Sequence, residues 1–370
     1  MKILYVTTIG GTMNFFNSFI NLLINEGHTI DIATNEHDSK VPACYREWGC
    51  RVYQIDTSRS PLKRGNLKAI KQIKKLVKKE KYDIVHCHTP IAALCTRLAC
   101  SKARKNGTKV FYTAHGFHFY KGAPLKNWLL YYPVEKICAH FTDVLITINR
   151  EDYALAQKKI KAKQVEYVPG VGVDLTRFGQ TVVDKSAKRK ELGIPENATL
   201  LLSVGELNEN KNHETVIRAI KDLDVYYIIA GKGGLQAHLQ DVIDGLGMTN
   251  QVNLLGFRND ISELCEAADI YVMPSCREGL SVALMEAMAS GLPCVVSKIR
   301  GNTDLIQEAK GGFLCETMDV AAYAEKLDYL ARNPELREKM GRNNLIAIRK
   351  FSIETVTEEI RKIYSAEFAE

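Results

Sequence analysis

The sequence predicts an α/β protein built from two doubly wound parallel-sheet domains. Strand-like apolar runs alternate with helix-period segments, glycine turns stand where strand gives way to helix, and the alternation stops near mid-chain and then restarts. A chain of 370 residues is long enough for two cores of roughly 150–200 residues each. Its 46% hydrophobic and 25% charged composition, with 25 Gly and 10 Pro, excludes a fibrous or wholly disordered chain.

In chain order, residues 2–8 read as a strand, Gly10-Gly11 as a turn, and 15–26 as a helix with Phe16, Phe19, Ile20 and Leu23 on one stripe. Gly27 stops that helix and 28–34 is the next strand, which completes a βαβ unit. Further strands are expected at 51–55, 84–88, 109–114, 144–148 and 164–168, with helices between most of them. The pattern breaks at Pro169-Gly170-Val171-Gly172-Val173, and the charged stretch 184–189 is assigned to the linker. It resumes with strand 200–204, loop 205–212, helix 213–220, strand 225–230, turn Gly231-Lys232-Gly233-Gly234 and helix 235–246. Strands 252–255, 270–273 and 293–296 follow, each leading into helix, and 351–369 is a terminal helix on Ile353, Val356, Ile360, Ile363 and Tyr364. Domains are therefore set at 1–170 and 171–351. Ligands of open parallel sheets bind beyond the carboxyl ends of the strands, so function is expected in a cleft between the two.

Composition narrows the classes. No signal-peptide pattern opens the chain and no run of about 18 apolar residues occurs, which predicts a soluble or peripheral protein. The ten cysteines are scattered without a C-x-x-C pair and read as reduced core thiols. His86-Cys87-His88 is the one tight Cys/His cluster; with no further spaced ligands it predicts no metal site. Neither G-x-G-x-x-G nor G-x-x-x-x-G-K-[ST] is present, which removes the main support for dehydrogenase and P-loop readings.

The net charge of +7 is concentrated: residues 61–81 hold nine basic side chains against Glu80 and contribute +8, leaving −1 for the rest. Leu67, Ile70, Ile73, Leu76 and Val77 recur there at helical spacing. Such a helix is either a solvated surface or a face drawn to anionic lipid; no aromatic residues interleave the lysines to stack on bases, so nucleic acid is not the expected partner. A second cluster, Phe117, Phe119, Tyr120, Trp128, Leu129, Leu130, Tyr131 and Tyr132 with Lys121 and Lys126, has interfacial composition, or is ordinary core packing.

The densest chemistry lies in 274–289, between a strand and a helix. Glu278 falls in the loop, Gly279, Leu280, Ser281, Val282 and Ala283 offer backbone N–H groups at the helix start, and Glu286 sits further along the helix. The N–H groups suit phosphate and the carboxylates suit the hydroxyls of a ribose and a sugar, so a sugar nucleotide fits. Gly10-Gly11 is a further place where bare backbone can approach an anion.

This sequence resembles the retaining glycosyltransferases of family 4, which have the GT-B fold and include capsule and exopolysaccharide enzymes. The resemblance rests on Glu278 and Glu286 separated by seven residues with Pro-Ser before and Ala-Met-Ala after, and on PGVGVDLTRF (169–178), SVGELNENKN (203–212), AGKGGL (230–235), Leu255-Gly256-Phe257 and Gly291-Leu292-Pro293. It implies a UDP-sugar donor, no prosthetic group and no metal. Glu286 would hold the ribose hydroxyls, Glu278 the 3-hydroxyl of the donor sugar, and the backbone of Ser281, Val282 and Ala283 the diphosphate. Lys211 would stabilise the leaving charge, His115 would orient the sugar, and the base would meet backbone near Arg258 and Asn259. Where relatives carry an arginine on the diphosphate this chain has Glu206, so Arg277 or the Gly10 and Gly11 amides are expected to compensate. The resemblance also implies that residues 352–370 return to the N-terminal, acceptor-binding domain, that 171–351 binds the nucleotide sugar, and that hinge closure assembles the site.

The expected function is transfer from a UDP-sugar to a lipid-linked saccharide, on undecaprenyl diphosphate, by a cytoplasmic enzyme peripheral at the inner, anionic face of a bacterial membrane. The alternatives are a UDP-sugar 2-epimerase of the same fold and a non-enzymatic basic peripheral membrane protein.

Overall fold

The computed structural model describes residues 1–37, 39–60, 63–178 and 184–367. The first two residues of the charged window and the end of the expected terminal helix lie outside them. The first sheet contains β1 (Lys2–Val6), β2 (Thr29–Thr34), β3 (Arg51–Gln54), β4 (Ile84–His88), β5 (Lys109–Ala114), β6 (Val144–Thr147) and β7 (Gln164–Tyr167), in the order β3-β2-β1-β4-β5-β6-β7. The second contains β8 (Thr199–Val204), β9 (Val225–Ala230), β10 (Val252–Gly256), β11 (Ile270–Met273), β12 (Cys294–Ser297) and β13 (Gly312–Cys315), ordered β10-β9-β8-β11-β12-β13. All the strand pairings are parallel. The order reverses between β1 and β4 in one sheet and between β8 and β11 in the other, the switch points where open α/β sheets place ligands. The doubly wound α/β expectation holds for both sheets.

The chain divides into Met1–Val171 with the segment from Val356, and Gly172–Thr355. The 184–189 stretch is not a linker. It opens the Lys185–Glu191 helix, capped by Asp184, whose carboxylate accepts the Ala187 N–H at 3.0 Å. Arg189 is buried, donating to Asp269 at 2.5 Å and to the carbonyls of Glu196 and Ala198, both at 2.8 Å. The Arg189 charge is satisfied inside the fold, whereas composition alone reads charge as exposure.

In the Gly65–Glu80 helix the buried face is Asn66, Ala69, Ile73 and Val77, and the expected stripe residue Leu67 points outward. Asn66 takes the inward place because its side chain accepts the Ser58 N–H and donates to the Ser60 carbonyl, both at 2.9 Å, fixing the preceding loop. The aromatic cluster also divides: Phe117 and Phe119 are core, while Trp128, Tyr131 and Tyr132 pack partly buried against it.

The terminal helix Ile353–Ala366 packs Val356, Ile363 and Tyr364 into the core around Ile3, Tyr5, Phe19 and Phe111. The Tyr364 hydroxyl bonds Tyr5 Oη at 2.9 Å and His86 Nδ1 at 2.5 Å, and His86 Nε2 meets Thr113 Oγ1 at 2.8 Å. Burial pushes the His86 imidazole down to about 3, so this network is neutral at ordinary pH. Tyr364→Phe removes the hydroxyl both partners share. It should cost about 2 kcal/mol, read as a lower urea midpoint at unchanged slope; an unmoved midpoint would show that the network carries no stability.

Candidate functional site

In the second unit, three carboxyl-end loops are stitched together by glycines and amides. A Cβ on Gly231 would lie 1.8 Å from the Gly205 carbonyl oxygen, and one on Gly233 2.2 Å from that of Leu207. Only glycine lets the turn after β9 nest in the loop after β8, where Leu207 N–H donates to the Lys232 carbonyl at 3.0 Å. The loop after β8 then binds the loop after β11: Asn210 Nδ2 donates to the Arg277 carbonyl at 3.0 Å, Cys276 N–H to the Asn210 carbonyl at 2.7 Å, and Asn212 Nδ2 to the Pro274 carbonyl at 3.1 Å.

This stitching brings Lys211 to Glu278, with Nζ 2.7 Å from Oε1 and both side chains mostly shielded from solvent. Gly205 makes room for the lysine stem, since a Cβ there would meet Lys211 Cε at 3.1 Å. The backbone around Glu278 is held by Arg300, whose Nε donates to the Glu278 carbonyl at 3.2 Å, and packs against Gly301, where a Cβ would strike the Gly279 oxygen at 2.3 Å. Ser281 caps the helix Val282–Ala289, its side chain accepting the Leu284 N–H at 3.4 Å. The N–H groups of the first turn are left to point beyond the helix start. Glu286 lies further along this helix, and burial raises its carboxyl to about 7 against the opposing pull of Arg177.

A cation paired with a carboxylate beside a helix start, with a second carboxyl held near neutrality, suits a ligand bearing both anionic and hydroxyl groups. Arg300, Asn210, Asn212 and Arg177 were not singled out as site residues. The first three act through backbone carbonyls, which leave no spacing signature; the glycine at 301 is the one sequence hint.

Of the other expected residues, Leu280 and Ser281 are buried, Val282, Ala283 and Arg277 are half-buried, and Glu206 is exposed. The Arg258 guanidinium is committed to Asp260 at 2.8 Å and Glu191 at 2.9 Å, leaving its backbone as the part open to a base. In the first unit, His115 follows β5 with Nε2 3.1 Å from His88 Nδ1, and burial lowers its imidazole to about 4, so it is neutral at pH 7. Gly10 corrects the anion-site expectation: its N–H is spent on the Asn35 carbonyl at 3.0 Å, and its bareness serves packing, since a Cβ would lie 2.4 Å from the Ser39 oxygen. At Gly11 a Cβ would lie 2.3 Å from Ser39 Oγ, the movable end of a side chain, so packing does not dictate the glycine there. Among the described residues no group of three His, Cys, Asp or Glu side chains is placed to hold a metal ion, and no helix is long and apolar enough to cross a membrane.

Residues 184–345 match the family described as glycosyl transferases group 1, and residues 2–149 the glycosyl transferase 4-like family. The chain is 37% identical to the glycosyltransferase EpsD of Bacillus subtilis, over 99% of this chain and 96% of that protein. It is 32% identical to the UDP-Gal:α-D-GlcNAc-diphosphoundecaprenol α-1,3-galactosyltransferase of Escherichia coli, over 81% of this chain and 79% of that one. Among solved structures, HepE of Anabaena, crystallised with UDP and glucose, superposes with a TM-score of 0.82 at 22% identity, covering 99% of this chain and all of that one. With 37% identity over nearly the whole of both chains and the two family matches, the chain belongs to the group 1 and 4-like glycosyltransferases, and it is an enzyme of that family.

Proposed function

We propose that this enzyme transfers a hexose or N-acetylhexosamine from a UDP-sugar, with retention at the anomeric carbon, to a lipid-linked saccharide in bacterial surface polysaccharide synthesis. The observation that carries the reading is the Lys211–Glu278 pair at the start of the helix that holds Glu286. The UDP-bound structures of HepE and the acceptor named for the Escherichia coli relative support the donor and acceptor classes.

In this scheme Glu286 accepts the ribose hydroxyls, Ser281, Val282 and Ala283 offer backbone to the diphosphate, and Glu278 accepts the sugar 3-hydroxyl. The bond from the anomeric carbon to the β-phosphate oxygen breaks as the acceptor oxygen bonds to the same face of that carbon. The acceptor proton passes to the leaving phosphate oxygen. Lys211 balances the charge that develops there, with Arg277 and the Gly11 amide as further donors, and neutral His115 orients the sugar by hydrogen bonding. The test is UDP-sugar turnover and UDP binding across UDP, GDP, ADP and CMP donors. Saturable use of one UDP-sugar is expected; absence of any nucleotide binding would sink the reading.

A peripheral seat on the inner, anionic membrane face belongs to the same proposal. The Leu125–Ala139 helix turns Glu135 inward to a buried pair with Arg97, at 2.6 and 3.1 Å. Its outer face carries Leu125 (74% exposed), Leu129 (67%), Leu130 (64%) and Ile137 (60%) beside exposed Lys126 and Lys136. A row of that kind costs free energy in water and suits a lipid interface. Leu129→Gln should weaken flotation with vesicles containing phosphatidylglycerol about tenfold; unchanged flotation would remove this face from the proposal.

A further inference from the structure

A cavity of about 260 Å³ opens in the first unit beyond the ends of β1 and β4, at that sheet's switch point. It is smaller than the roughly 300–1,000 Å³ of a complete ligand pocket, so it seats one group of a larger molecule. Its polar lining is Thr8, Thr12, Arg59, Thr89, His118 and Tyr131, with no Asp or Glu among the lining residues. Thr8 and Thr89 bond each other through their hydroxyls at 2.6 Å, and Thr89 also donates to the His88 carbonyl. Thr12, Arg59 and Tyr131 have no side-chain hydrogen bond or ion pair among the described residues. A guanidinium with no carboxylate among the lining residues favours an anionic group, to which the open hydroxyls of Thr12 and Tyr131 can donate.

One wall of the cavity leads to the exposed apolar face. Tyr131 is stacked on His118 with ring centroids 4.6 Å apart, and Asn127 Nδ2 pins the His118 carbonyl at 2.9 Å, so the cavity wall and the Leu125–Ala139 helix move as one. Leu130 and Val134, both exposed, flank Tyr131 on the outer side of the same helix. A ligand whose anionic group sits against Arg59 can therefore lay a hydrocarbon chain along these side chains.

We propose that this cavity binds the phosphate of an amphiphilic lipid phosphate, the lipid-proximal phosphate of the acceptor, with Arg59 as its cation and the Leu130–Val134 face as the seat of the first part of the tail. This rests on the lipid-linked acceptor reading above and adds its binding site.

The experiment is titration calorimetry of the full chain with farnesyl diphosphate, farnesol and inorganic diphosphate, with UDP held saturating so that the donor diphosphate site is filled. Farnesyl diphosphate should bind at least tenfold more tightly than either fragment. Arg59→Gln should weaken it about tenfold while leaving farnesol unchanged, Thr12→Val should weaken it about threefold, and Leu130→Gln should weaken farnesyl diphosphate and farnesol alike. Lys71→Gln, an exposed lysine outside the cavity, should change nothing. Equal loss in Lys71→Gln and Arg59→Gln would overturn the proposal in favour of diffuse charge. Inorganic diphosphate binding as tightly as farnesyl diphosphate would overturn the amphiphile. A chain that binds UDP but not farnesyl diphosphate refutes this site alone, whereas one that binds no UDP refutes the donor reading.

Discussion

Lys211→Ala is expected to lower kcat by about 100- to 1,000-fold, the loss found when one preorganised donor to a developing negative charge is removed. Two effects add. On the proposed scheme the leaving diphosphate loses its cation, and Glu278, now without the ammonium 2.7 Å away, presents an uncompensated carboxylate to an anionic ligand. The second effect is separable: pairing Lys211→Ala with Glu278→Gln should recover part of the UDP affinity lost in the single variant while kcat stays low. Lys211→Arg keeps the charge but not the reach along Gly205, where the lysine stem already packs at 3.1 Å from a would-be Cβ, and should fall between wild type and alanine. Steady-state kinetics with the best UDP-sugar decide the matter. A kcat within tenfold of wild type in Lys211→Ala would mean that the leaving charge is met by other groups, with Arg277 the first to substitute.

The alternation of apolar strands with helical stretches was readable because a parallel strand buried on both faces is written as a continuous apolar run. Residues 84–88, 109–114, 225–230 and 270–273 are strands in the structure with those same ends. The last strand, Gly312–Cys315, escaped because four residues opening on glycine carry too little pattern; its glycine is needed because a Cβ would lie 1.8 Å from the Cys294 oxygen of β12. The Lys185–Glu191 helix escaped for the opposite reason, since its Lys188 and Arg189 are buried and paired inside the fold. At the site, the glycines at 231 and 233 were legible as a turn and Gly205 as the start of a loop, and the structure adds what they do, which is to let two loops interpenetrate and carry Lys211 to Glu278. The limit is clearest at Gly10: sequence shows a bare backbone after a strand, but only the fold shows that its N–H already has the Asn35 carbonyl.

Glu286→Gln should separate stability from donor binding and give them opposite signs. Burial lifts the Glu286 carboxyl from an ordinary 4.5 to about 7. Between those values the folded protein binds a proton that the unfolded chain does not. The contribution of this group to stability is therefore complete below about 4.5 and is lost as pH rises through 7. Above pH 7 the fold holds a poorly solvated carboxylate at a cost of about 1–2 kcal/mol, allowing for its partial exposure. Glutamine escapes that cost, so at pH 8 the ligand-free variant should be more stable than wild type, and the advantage should shrink toward pH 5. Donor binding runs the other way. If Glu286 holds the donor ribose as proposed, the ionised carboxylate is the stronger acceptor for its two hydroxyls, so wild-type UDP affinity should rise with pH through about 7 and level off. Glutamine should bind UDP roughly 30- to 100-fold more weakly at pH 8, with no such rise. UDP titrations and urea unfolding at pH 5, 6, 7 and 8 test both halves. A wild-type affinity independent of pH would exclude Glu286 ionisation from donor binding, and a variant destabilised at pH 8 would mean that the carboxylate is compensated in the fold, with Arg177 the nearest candidate.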